Sequence, residues 1–283
     1  MLDPKDFLLQ SQNMDGGWGY RKGGMSFVEP TAAVMLALRD DSARNRARNF
    51  LLSMQHADGG WGIGTVDHES GWMTAWAILG LNDPSDAVLR GVDWLRATQG
   101  FQIADEKNRA QIQSIYKIDS ALRAWSWQPG DASWVHPTAL AILALCAIGK
   151  RDDDRVREGV SYLYDRALKS GGWNVGNPEM LGKTIPATIQ DTAVALLALH
   201  AVGENANQPR IVQAFDFLKN AIDKAQTPSE LAYGIWAMRR FAWRLEIRDW
   251  VARLNSLQLA DGSWQGNPFI TAIAVIANNG GTQ

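Results

Sequence analysis

Apolar residues alternate along this chain between two patterns. In the first, one stripe recurs at helical spacing against a charged face: Ala43, Ala47, Phe50, Leu51 and Met54 are set against Arg44, Arg46 and Arg48. The same period returns in Val156, Val160, Leu163 and Ala167, and again in Ile211, Phe215, Leu218 and Ile222. Steps of three and four residues place these side chains on one side of an α-helix, so each segment predicts an amphipathic helix with one covered face. In the second pattern, seen over 30–38, 72–81, 137–148, 191–202 and 270–277, almost every position is apolar. Helices of that composition are enclosed on all sides. Three of them open on Glu29-Pro30-Thr31-Ala32, His136-Pro137-Thr138-Ala139 and Gln190-Asp191-Thr192-Ala193. Proline in the first turn and Asp or Thr beside it are helix-start signals.

A recurring turn joins the two kinds of segment. Residues 12–18 read Gln-Asn-Met-Asp-Gly-Gly-Trp, residues 55–61 Gln-His-Ala-Asp-Gly-Gly-Trp and residues 258–264 Gln-Leu-Ala-Asp-Gly-Ser-Trp, all with one spacing. A weaker copy ends at Trp173, and the stretch from Trp94 to Gln99 keeps the upstream half and then loses the Gly-x-Trp. The unit is an outer amphipathic helix, a glycine-rich turn, an inner apolar helix and a short return. It recurs about every forty to sixty residues, and such units bury their faces only by stacking on their neighbours. About six pairs fit the length, and six close into a ring. The expected architecture is therefore all-α, an (α/α)6 toroid of inner and outer helices forming a single domain over residues 1–283. Residues 100–128 break the rhythm, with a polar stretch at 105–113, and are expected to hold a degenerate pair with an insertion over one mouth.

The aromatic-Leu-x-x-x-Gln-x-x-Asp-Gly-x-Trp run at Phe7–Trp18 and Phe50–Trp61 resembles the QW repeat of squalene and oxidosqualene cyclases and the related prenyltransferase repeat. The resemblance covers most of the chain. It implies a terpenoid cyclase-like toroid in which Gln12, Trp18, Gln55, Trp61, Gln258 and Trp264 tie each outer helix to its neighbour. Cyclases of the hopene type carry Asp-x-Asp-Asp-Thr-Ala at the start of an inner helix, and the middle Asp protonates an alkene or epoxide. The matching stretch here, 188–193, reads Thr-Ile-Gln-Asp-Thr-Ala. Only Asp191, Thr192 and Ala193 survive, and an amide at Gln190 cannot act as the acid. Prenyltransferases of the other branch bind zinc through Asp, Cys and His. Here Cys146 is the single cysteine, in the middle of an apolar run, and His56, His68, His136 and His200 form no ligand spacing. No metal and no cofactor is expected.

If the inner helices run in one direction, their first residues gather at one mouth. That rim collects Glu29, Asp67, Glu69, His136, Asp191 and Glu230, any of which also serves as a helix cap. Asp191, His136 and Glu29 are the catalytic candidates, because Asp191 falls on the motif position and the other two occupy the equivalent place in sister repeats. Thirteen tryptophans are many for 283 residues. Trp72, Trp76, Tyr233 and Trp236 on the inner helices, with Trp134 and Phe27 near the mouth, are the candidates for substrate binding, since aromatic faces suit flat apolar ligands and stabilise carbocations.

Charge and hydropathy narrow the partners. A net charge of −2, with no basic run longer than Arg239-Arg240, argues against nucleic acid. The longest apolar run, 139–148, is about half a membrane span, and the N-terminus lacks a secretory pattern. A cytoplasmic protein is expected, with membrane-surface contact left open because larger cyclases dock on membranes. The leading expectation is an isoprenoid-handling protein that binds a polyprenyl or terpenoid chain in an aromatic central cavity, with proton-initiated chemistry. Beside it stands a non-catalytic lipid carrier or assembly scaffold that keeps the fold without the acid. Third comes a carbohydrate-processing toroid. Oligomeric state and protein partners are not readable from these residues.

Overall fold

The computed structural model describes residues 2–180, 182–241 and 247–279. In chain order the helices are α1 (Pro4–Gln10), α2 (Val28–Ala37), α3 (Asp41–Ser53), α4 (Met73–Leu81), α5 (Asp86–Ala97), α6 (Glu106–Tyr116) and α7 (Val135–Ala147). They continue with α8 (Asp154–Arg166), a small hairpin of β1 (Glu179–Met180) and β2 (Lys183–Thr184), α9 (Ile189–Val202) and α10 (Pro209–Lys224). The series closes with α11 (Pro228–Arg240), α12 (Ile247–Ser256) and α13 (Pro268–Asn279). The inner helices are α2, α4, α7, α9, α11 and α13: each packs on the next, and α13 returns to α2. The expected toroid is therefore present as a closed ring. Among the described residues no helix is long and apolar enough to cross a membrane.

One local device is repeated around the ring. The indole Nε1 of Trp18, Trp61, Trp173 and Trp264 donates to Leu8, Leu51, Leu163 and Leu254, each ten residues earlier on the preceding outer helix, at 2.6–2.7 Å. The backbone N–H of the same tryptophans donates to a threonine hydroxyl in the first turn of the following inner helix: Thr31, Thr74, Thr192 and Thr271, at 2.9–3.0 Å. Each tryptophan thus pins an outer helix to an inner one while its ring, no more than 1% exposed, fills the space between. The glutamine acts sideways. Gln12 Nε2 donates to Gly16 and to Ala43 on α3, and Gln55 Nε2 to Gly59 and to Ala87 on α5, at 2.7–2.9 Å. Gly16 and Gly59 have φ of +90° and +92° and lie so close to carbonyls of α3 and α5 that a Cβ would sit 2.4 and 2.8 Å from them. Only glycine meets both demands.

The irregular region obeys the same rule. Trp125 Nε1 donates to Leu95 at 2.8 Å and its backbone N–H to Thr138 at 3.1 Å, but the separation from Leu95 is 30 residues instead of ten. The Gly-x-Trp missing after Gln99 is therefore not lost. Its tryptophan is displaced along the chain by an insertion that contains α6, a helix with no buried residue that touches β1. The α10–α11 connection has no such tryptophan, and α11 starts instead on a capping box between Thr227 and Glu230.

Replacing Thr74 with valine keeps the shape but leaves the buried Trp61 N–H without its acceptor. Thr74→Val should lower unfolding stability by ~1–3 kcal/mol in urea denaturation, whereas Thr74→Ser, which keeps the hydroxyl, should lose much less.

Candidate functional site

The inner helices present one stripe each to the ring axis, at steps of three and four residues. On α4 it runs Trp76, Leu79, Asn82; on α7, Leu140, Leu143, Ala147; on α9, Val194, Leu197, Ala201; and on α11, Tyr233, Trp236, Arg240. All of these line a central cavity of 480 Å³. Because the helices run the same way, position along the stripe becomes depth. Trp76 and Tyr233 sit deep, Trp236 lies in the wall, and Asn82, Arg151, His200 and Arg240 frame the end where the inner helices finish. Along α11, Tyr233 and Arg240 are about 10 Å apart. Cys146 also lines the cavity, and burial pushes its thiol up to about 11.

One turn toward the helix starts lie His136 on α7 and Asp191 on α9, and two turns before the lining residues Leu36 of α2 and Ile276 of α13 lie Glu29 and Phe269. His136 Nδ1 lies 3.6 Å from Asp191 Oδ1. Asp191 Oδ2 accepts from Thr188 Oγ1 at 2.8 Å, and the Asp191 N–H donates back to that hydroxyl at 3.0 Å. Glu29 is 8% exposed and accepts a hydrogen bond of 2.5 Å from Tyr20 Oη. Burial holds the Glu29 carboxyl above the usual range, against the opposing pull of Tyr20, His136 and the Trp76 indole. The Trp76 indole N–H is buried near Glu29 but makes no hydrogen bond of good geometry among the described residues. The Tyr233 phenol is pushed far up, by burial first and then by the negative charges of Glu29 and Asp191.

Aromatic rings close this end. Tyr20 packs on Phe27 and Phe269 with centroids 5.3 and 6.1 Å apart, Phe269 on Trp76 at 5.9 Å, and Trp127 stacks on His136 at 5.5 Å with Trp72 edge-on at 4.7 Å. The structure thus pairs His136 with Asp191 and places Glu29 within electrostatic reach of His136, while Trp76 and Tyr233 line the cavity on this side. Of the candidate aromatic residues, Trp76, Tyr233 and Trp236 line the cavity, Phe27 and Trp72 cover the acid cluster, and Trp134 packs against Gly176 in the turn before α9. The other rim acids serve their own backbone. Asp67 accepts from the N–H groups of Ile63 and Glu69, and Glu230 completes the cap of α11. Gln190 is exposed and donates to Ser229 on α11 at 2.7 Å. Tyr20 lies in a loop outside any helix and carries no repeat signature, so pattern alone does not single it out.

Repeat, ring and axial cavity define the class: an α/α toroid with the repeats of squalene cyclases and prenyltransferases. The family model of the squalene-hopene cyclase C-terminal domain matches residues 4–111. A probable squalene–hopene cyclase of Sinorhizobium fredii is 26% identical over 268 residues, covering 85% of this chain and 40% of that protein. The squalene–hopene cyclase of Zymomonas mobilis is 32% identical over 232 residues, 74% of this chain and 35% of that protein. The chain spans about two fifths or less of the length of these relatives. Among solved structures, the type II terpene cyclase MstE from Scytonema superposes with a TM-score of 0.66 at 17% identity, covering 97% of this chain and 95% of that one. An α-amylase from Clostridium perfringens reaches 0.66 at 11% identity, covering 99% and 97%. At such identities the agreement is one of fold.

The raised Glu29 carboxyl has a consequence for stability. The unfolded chain releases this proton near pH 4.5, the ordinary value, whereas the folded protein holds it to higher pH. Stability contributed by the protonated form is full below that pH and declines as pH rises through the folded value. Thermal melting from pH 4 to 8 should therefore show Glu29→Gln losing less stability on the alkaline side than the unsubstituted protein.

Proposed function

We propose that the central cavity binds an isoprenoid chain and that the Glu29–His136–Asp191 cluster supplies the proton that starts its rearrangement, as in a terpenoid cyclase. The observation that carries this reading is the axial order: an aromatic-floored apolar cavity, with two buried carboxyls one to two turns nearer the starts of the same inner helices. Enclosure removes water that would quench a cation. The faces of Trp76, Tyr233 and Trp236 stabilise positive charge on carbon.

A carbon–carbon double bond at the floor takes a proton on one carbon and leaves the cation on the other. The next double bond of the chain attacks that cation, and loss of a proton from the last cation gives a cyclic isomer, so atoms and charge balance. Tyr233 reaches the cavity and feels both acids. Its phenol, pushed far up, is too weak an acid to protonate an alkene. The proton therefore comes from the Glu29 carboxyl, whose proton burial holds to higher pH, with the chain end reaching past Tyr233 and His136 holding Asp191 in place. Gln190, tied outward to Ser229, takes no part. A variant of the Scytonema cyclase has been solved with geranylgeranyl dihydroxybenzoate as substrate, a chain of the kind this cavity suits. Since Glu29 and Asp191 do not themselves line the cavity, a carrier that binds the chain without converting it is the second reading.

Both are tested with geranylgeraniol. Occupancy is read from protection of Cys146, the only cysteine, against an apolar thiol reagent at mildly alkaline pH, and conversion from extracted products. The expected result is protection together with a cyclised product. Asp191→Asn and Glu29→Gln should keep the protection and lower conversion by roughly 10²–10⁴-fold. Protection without a product in the unsubstituted protein identifies the carrier, and no protection removes the isoprenoid reading.

A further inference from the structure

The end of the cavity opposite the acid cluster has its own chemistry. Arg151, His200 and Arg240 line it with Asn82. Both arginines share this lining with the imidazole, and burial first and then Arg240 and Arg151 depress the His200 pKa. Among the described residues no carboxylate lines the cavity. The acids on neighbouring turns are engaged or turned to solvent: Glu204 accepts from Tyr164 Oη at 2.6 Å, Asp83 pairs with Arg48, and Asp152 is exposed and forms no ion pair among the described residues.

Arginines near helix ends often serve only to satisfy the last carbonyls and the dipole, and this chain shows what that looks like. Arg44 donates to the carbonyls of Met35 and Leu38 at the end of α2, and Arg253 donates to those of Ile222, Asp223 and Ala225 at the end of α10. The side chains of Arg151 and Arg240 make no such bond and no ion pair among the described residues, and Arg240 is half-buried. The ends of α4 and α9 are satisfied by backbone N–H groups, from Asn82 to Ile78 and from Gly203 to His200 and Leu199. Among the described residues neither guanidinium at the mouth of this apolar cavity has an anionic partner; Arg151 is exposed, and His200 beside them packs on Phe241 with centroids 4.9 Å apart. Arginine's planar fork matches the oxygens of a phosphate or carboxylate.

We propose that this mouth is the binding site of an anionic head group, so that the ligand is an isoprenoid whose chain fills the cavity toward Trp76 and Tyr233 and whose terminal diphosphate or carboxylate rests on Arg151, Arg240, His200 and Asn82. The proposal rests on the isoprenoid reading above. It fixes the orientation of the chain, head outward and the far double bond toward the acid cluster.

The test compares three ligands with the same twenty-carbon chain, geranylgeranyl diphosphate, geranylgeranoic acid and geranylgeraniol, by calorimetric titration of the full chain and of Arg151→Gln and Arg240→Gln. Circular dichroism melting verifies that the variants fold. The anions should bind on the order of ten-fold or more tightly than the alcohol, and each substitution should weaken anion binding by about ten-fold while leaving the alcohol unchanged. The tighter of the two anions identifies the head group. Equal binding of all three, or an equal loss for alcohol and anion in the variants, overturns the proposal and leaves the isoprenoid cavity standing. If none of the three binds, the isoprenoid reading fails, and this inference with it.

Discussion

Five of the six inner helices in this toroid are set by how a tryptophan in the preceding turn uses its two N–H groups. The indole nitrogen reaches back to the outer helix and the backbone nitrogen reaches forward to a threonine on the inner helix. A helix pair of this kind has no closed core of its own, so its relative position must be fixed by something other than packing. The paired hydrogen bonds fix it in the same way at Trp18, Trp61, Trp125, Trp173 and Trp264. A buried N–H left without a partner is destabilising by more than its bond contributes. Each lock is therefore worth more as a constraint on geometry than as a source of net stability.

Because the lock repeats, the inner helices run the same way and start at the same height, and that parallel order turns sequence position into depth along the axis. First-turn residues become an acid cluster, mid-helix residues become an aromatic and aliphatic wall, and last-turn residues become a cationic mouth. The result is an elongated cavity with unlike ends. An apolar chain with one polar terminus fits that polarity better than a symmetric hydrocarbon does, and better than a sugar, which asks for hydrogen-bonding groups along its whole length. Fold by itself does not choose among these, since cyclase and amylase folds superpose on the chain equally well.

Much of this was legible in the residues. The Gln-to-Trp spacing and the two kinds of hydrophobic pattern identify the helix pairs, and the apolar runs fall on α2, α4, α7, α9 and α13 to within a few residues. The sixth inner helix, α11, is diluted by Ser229, Glu230, Arg239 and Arg240, so it lacks the continuous apolar run that marks the others. The role of Trp125 was hidden because an insertion triples its distance from Leu95, and spacing searches fail on insertions. The meeting of Glu29, His136 and Asp191 follows from parallel helices, but the distances do not. Nor does the placing of Trp76 and Tyr233 in the cavity wall, which depends on how large side chains share a narrow axis. Tyr20 and the cationic mouth carry no motif, and only three-dimensional placement makes them visible.

Whether a proton from the buried cluster begins the proposed chemistry in the cavity is read from isotope labelling. Protein equilibrated in D2O and incubated there with a polyprenyl chain is expected to give a cyclic product carrying one deuteron per molecule, on a carbon that was part of the far double bond. A product formed at the same rate without deuterium, or a chain recovered unchanged from a demonstrably occupied cavity, would contradict it.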